Sequence, residues 1–168
     1  HPGWAAGAGL TAATMARHGF VGPKQAYEGR FGLFNSHLGP LARDGDLGLA
    51  TAGLGEVWEL AKVNVKPLPA CHFTHACADA AAILRERHGP RPQQIRSVRA
   101  LVPAEVVKTV CEPVATKKRP QNSYDAQFSI PYIVATALIR GRFGLAELDE
   151  SALRDEATLA LAAKVEYQ

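Results

Sequence analysis

Cysteine is scarce in this sequence and odd in number. Cys71, Cys77 and Cys111 are all it has, which excludes a disulfide framework and fits a reducing, cytoplasmic compartment. Long apolar runs are missing, so no segment reaches the length of a membrane-spanning helix. Charge of one sign is also lacking: 19 basic against 16 acidic residues leave a net charge of +3. That is too little for a nucleic-acid binder, which carries a basic face or stripe, and it is compatible with anionic metabolites. Phosphate loops, Gly-x-Ser-x-Gly elbows, His-Glu-x-x-His helices and GxGxxG fingerprints are absent, as are internal repeats and low-complexity segments. The opening His1-Pro2-Gly3-Trp4 has no basic region followed by an apolar one and no initiator Met. The expectation is a chain that is processed or begins inside a longer one.

What is present is ordinary globular composition, 47% hydrophobic and 21% charged, enough for one core and a second partial one. Residues 3–18 predict a helix rich in Ala and Gly, whose Gly3, Ala6, Gly7 and Gly9 would let another helix approach closely. Gly19 suits its C-terminal cap. Pro23 suits the first turn of a short helix through Tyr27, and residues 29–56 are Gly-rich and broken. Trp58-Glu59-Leu60 and Val63-Asn64-Val65 alternate out of phase, as in a strand with a break near Ala61. Thr74 can cap a helix to about His88, with Cys77, Ala80, Ala81 and Leu84 on its buried stripe and Gly89-Pro90 as its stop. Gln94 to Val102 reads as a strand, and residues 103–112 fit helix or strand. Ser123 or Ser129 can cap the next helix, to Arg140, which is apolar nearly all round and hence central. Pro131 favours Ser129 as the cap. Residues 149–163 give one or two helices, and Lys164–Tyr167 starts a strand.

Chemistry concentrates in Lys66-Pro67-Leu68-Pro69-Ala70-Cys71-His72-Phe73-Thr74-His75-Ala76-Cys77-Ala78-Asp79, at an expected strand-to-helix junction. Cys71, His72, His75 and Cys77 lie within seven residues, whereas structural zinc sites draw ligand pairs from separated segments, so no metal is expected. Asp79, four residues after His75, is placed to orient the imidazole for acid–base work, or the two form a plain surface pair. Lys66 can present a point charge to a carboxylate, or simply face solvent. Tyr132, on an apolar helix, needs a partner for its hydroxyl, in the protein or on a ligand. Lys117-Lys118-Arg119 reads as a solvated loop.

His1-Pro2-Gly3-Trp4-Ala5-Ala6, the Gly19-Phe20-Val21-Gly22-Pro23 turn, Glu28-Gly29, Phe31-Gly32, the Lys66 junction and Ser129-Ile130-Pro131-Tyr132 together resemble the MmgE/PrpD family. The family includes 2-methylcitrate dehydratase and cis-aconitate decarboxylase. The resemblance implies an α+β fold: residues 1–56 as the tail of an all-helical domain with its connector, and residues 57–168 as a small α+β lid domain, truncated at its end. In that domain helices would pack on a short mixed or antiparallel sheet. The chain would then be an internal fragment, inactive alone, of a cofactor-independent lyase. The parent would be a homodimer that removes a proton and water from a small polycarboxylate. Lys66, His75 and Tyr132 are the implied catalytic groups, with the Tyr132 hydroxyl facing the cleft near Lys66. His1, Cys71, His72 and Ser129 are the implied substrate contacts. The decarboxylase branch has a histidine where this chain has Cys71, and a thiol does not replace a neutral imidazole as a proton shuttle. A decarboxylase or epimerase of the same family is the alternative reaction. A non-catalytic self-association module is the alternative of a different class.

Overall fold

The computed structural model describes residues 2–46 and 48–168. His1, expected to touch substrate, lies outside the described residues. The chain divides into two compact units, His1–Val63 and Asn64–Gln168.

The first unit begins with α1 (Pro2–Arg17), as its alanine-rich sequence predicts. The chain leaves α1 through Gly19 at φ 86°, a left-handed conformation that glycine adopts without a Cβ clash. Then come α2 (Leu33–Leu38), a 3-10 turn Gly39–Asp44 and α3 (Gly48–Thr51). Two expectations fail here. Residues 24–28 form turns rather than a short helix. The Trp58–Val65 strand is replaced by a 3-10 turn, Glu59–Lys62, closed by a Lys62–Glu59 ion pair at 2.9 Å. A strand needs a neighbour to take its backbone hydrogen bonds, and alternation alone does not supply one. Among the described residues of this unit only Gly32 is buried. The α1 face carrying Gly3, Trp4, Gly7 and Met15 is open.

The second unit is helix-rich α+β. A 3-10 turn, His72–Thr74, leads into α4 (His75–His88), which Gly89 terminates at φ 52°. Strand β1 (Val98–Ala100) follows, then α5 (Ala104–Val110), which settles the ambiguous residues 103–112 as mainly helix. Next come α6 (Val114–Lys118), α7 (Ser123–Gln127) and α8 (Ile130–Arg140). Last are α9 (Glu150–Leu153), α10 (Glu156–Ala162) and β2 (Val165–Tyr167). Ser129 is the N-cap of α8: its Oγ accepts the Tyr132 N–H at 3.0 Å, with Pro131 in the first turn, where a missing N–H costs nothing. Asn122 caps α7 by accepting the Asp125 N–H at 2.9 Å.

Helix α8 is the centre of this unit. Every residue from Ile130 to Leu138 is buried. Val134, Ala135 and Leu138 pack with Ala81 of α4, Val110, Leu161 and Val165. Tyr132 and Ile133 pack with Ala70, Ala78, Phe143 and Leu159. Helix α4 meets α8 through His75, Ala78 and Ala81. This corrects the expected stripe of Cys77, Ala80, Ala81 and Leu84. Cys77 is half-buried, Ala80 and Leu84 are exposed, and these residues line an open apolar groove beside β1. Alanines are spread round α4 (Ala76, Ala78, Ala80, Ala81 and Ala82), so its buried face is set by where α8 lies.

The sheet has two strands paired in parallel, Val98↔Val165, Arg99↔Glu166 and Ala100↔Tyr167. A mixed or antiparallel sheet was the expectation. The strands are not hairpin neighbours: the whole of α5 to α10 separates them. A crossover of that length permits parallel pairing, which a tight hairpin does not.

Candidate functional site

The second unit joins two helix starts. The Cys71 N–H donates to the Gln127 carbonyl at 2.8 Å. That bond ties the His72–Thr74 turn, which feeds α4, to the end of α7, just before the Ser129 cap of α8. The two chemistry-bearing stretches of the sequence are therefore physical neighbours, through a backbone bond that no residue pattern announces.

At the first helix start, Thr74 is fully buried, and its hydroxyl donates to the Cys71 carbonyl at 2.7 Å, which closes the turn. His75 is 6% exposed. Its Nε2 lies 3.4 Å from the Ala70 carbonyl. A carbonyl only accepts, so the ring proton belongs on Nε2. The neutral ring then carries its lone pair on Nδ1, which is buried with no hydrogen-bond partner. Buried polar atoms without partners are rare, and this one singles out the junction as a candidate place for a base. The exposed His72 ring lies 4.9 Å from that of His75, centroid to centroid. Asp79 is exposed and makes no hydrogen bond to His75, so the expected i, i+4 orientation of the imidazole is not found.

At the second helix start the hydroxyls are already engaged. Ser129 is fully buried; besides capping α8, its hydroxyl donates to the Lys117 carbonyl. Tyr132 is also fully buried. Its hydroxyl donates to the Glu147 carbonyl at 2.8 Å, its ring packs edge-on against Phe143, and burial raises its pKa. The expectation that this hydroxyl faces a cleft beside Lys66 is corrected: the apolar helix meets its need for a partner inside the core. Tyr132→Phe removes one buried donor and keeps the ring. It is expected to lower stability by about 1 kcal/mol and to leave activity per folded molecule unchanged. Thermal melts alongside turnover check this, and a selective loss of turnover would restore a chemical role for the phenol.

Lys66 is exposed in the irregular segment before the junction. Among the described residues it has no ion-pair partner. Cys71 is half-buried.

Lys117 was missed by sequence reasoning. Within a run of three cations it reads as solvated, yet α6 turns it inward to 8% exposure. Its Nζ donates to the Thr109 carbonyl at 2.8 Å, at the end of α5. Burial lowers its pKa, against the opposing influence of Asp125, Cys111 and Cys71. Its neighbours in the run do stay at the surface: Lys118 Nζ bonds the Ala163 carbonyl and Arg119 pairs with Glu156, both at 2.8 Å.

Burial pushes the Cys77 thiol up, and the Cys111 thiol up to about 11, with Cys77 adding to the second shift. Both thiols are held neutral rather than as nucleophilic thiolates, Cys111 in the core and Cys77 half-buried beside the groove. Among the described residues no group of three or more His, Cys, Asp or Glu side chains is placed to hold a metal ion, and no helix is long and apolar enough to cross a membrane.

No curated protein matches the chain significantly. The MmgE/PrpD C-terminal domain matches residues 68–168, which take in the junction, the central helix and both strands. That match covers more than half of the sequence, and the chain belongs to the MmgE/PrpD family.

Proposed function

We propose that the protein is a cofactor-independent lyase acting on a small polycarboxylate, with loss of water from a 2-methylcitrate-like substrate as its reaction. Membership of a family of dehydratase- and lyase-like enzymes carries this reading. The chemistry removes a proton α to a carboxylate and expels a hydroxyl, so it needs a base near the substrate carbon and cations for the developing enolate charge. His75 offers the base, through a buried lone pair that no protein group occupies. Lys66 offers an exposed ammonium five residues before Cys71 on the chain leading into the same turn. Cys71, in place of an imidazole, favours dehydration over decarboxylation. His72, exposed beside His75, is placed to contact substrate or relay a proton. Ser129 and Tyr132 support the site from the core.

Incubating the product of the natural gene with 2-methylcitrate tests the reading, since elimination creates a conjugated double bond that absorbs in the ultraviolet. Turnover is expected, and Lys66→Ala should lower kcat/KM by about 2 kcal/mol, the scale of a charged hydrogen bond. Because Lys66 is exposed, its loss should leave the melting temperature nearly unchanged. Carbon dioxide release from cis-aconitate without any dehydration would make the protein a decarboxylase. Inertness toward both would overturn the lyase assignment.

A further inference from the structure

A lysine ammonium carries three donors. Lys117 uses one, on the neutral Thr109 carbonyl, and is 8% exposed. Among the described residues no carboxylate lies within ion-pair distance of it. Asp125 acts on it from further away, and that carboxylate is itself engaged by the Gln121 N–H and the Asn122 amide, each at 3.2 Å. The other groups that bear on it, Cys71 and Cys111, are thiols. A buried cation among mainly neutral groups is unfavourable, and an arriving anion offsets that cost.

Its position adds to this. The ammonium is anchored at the end of α5, and α5 packs against the His72–Thr74 turn. The Lys117 carbonyl accepts the Ser129 hydroxyl at the head of α8. Lys117 therefore bridges the two helix starts that the Cys71–Gln127 bond joins. His75 Nδ1, the buried side-chain polar atom without a partner among the described residues, belongs to the first of them. Helix starts themselves favour anions.

We propose that Lys117 is a second carboxylate-binding cation of this site, additional to Lys66, for a substrate with two or more carboxylates; the inference rests on the polycarboxylate reading above. Tricarballylate, a tricarboxylate with no hydroxyl to eliminate, is the probe, and calorimetry on the natural gene product is the measurement. Lys117→Met removes the charge and keeps the length. It is expected to weaken tricarballylate binding about tenfold or more, the scale of a charged hydrogen bond, without a matching loss of melting temperature. The wild-type protein supplies a second readout. An ammonium is charged below its pKa and burial lowers that pKa, so tricarballylate affinity should fall as pH rises, starting below the ordinary lysine range of about 10.4. Should the methionine variant fail to fold, this pH series decides alone. Unchanged affinity in a folded Lys117→Met protein, or no alkaline fall in the wild type, would overturn the inference and leave Lys117 as a cap on α5. A wild-type protein that binds no tricarballylate would instead overturn the polycarboxylate reading, and this inference with it.

Discussion

Ser129→Ala should destabilise the Asn64–Gln168 unit by about 3 kcal/mol while leaving turnover per folded molecule unchanged. The Ser129 hydroxyl is fully buried and serves two backbone groups: it accepts the Tyr132 N–H and donates to the Lys117 carbonyl. Losing an N-cap costs about 1 kcal/mol. Leaving a buried acceptor unsatisfied costs about 1–3 kcal/mol more. The loss falls on α8, whose residues from Ile130 to Leu138 are all buried, so a frayed first turn cannot turn to solvent for compensation. Urea unfolding gives the stability, and the midpoint should fall without a change in slope. A small stability change with a large loss of substrate affinity would instead make Ser129 a ligand-binding group.

His75→Gln is expected to lower kcat in the natural gene product at least about hundredfold, the scale of general-base catalysis. The Ala70 carbonyl contact places a proton on Nε2, so the lone pair of the ring's neutral form is on Nδ1. Glutamine approaches the size of the imidazole but has no comparable base. Because His75 is 6% exposed, the variant also loses some packing against α8. Activity must therefore be counted per folded molecule, with the folded fraction taken from the melt. Equal activity per folded molecule would reduce His75 to a core residue. Loss in kcat with KM little changed places the defect in the chemical step.

Much of the second unit was legible in the residues because its signals are local. Ser129 three residues before Tyr132, with Pro131 between, marks a helix start by hydrogen-bond capacity alone. The unbroken apolar run after Pro131 marks a central helix whatever surrounds it. Gly89 and Gly141 end their helices at φ 52° and 73°, which side chains with a Cβ rarely adopt. His75 and Cys71 stood out as chemistry-bearing types crowded at a turn. Each of these follows from the covalent structure of a few adjacent residues.

What only the tertiary structure decided depends on neighbours distant in the chain. The buried face of α4 was set by α8, because an alanine-rich helix has little amphipathic preference of its own. The parallel pairing of β1 with β2 came from the crossover through α5 to α10. Trp58–Val65 alternates like a strand and is not one. Lys117 looks like its neighbours Lys118 and Arg119 in sequence, yet its ammonium is drawn inward by the Thr109 carbonyl. The Tyr132 hydroxyl was bound to find a partner, and the loop that brings Glu147 back over α8 decided that the partner is a backbone carbonyl. A side chain's chemistry can be read from its type; its environment is a property of segments that meet only on folding.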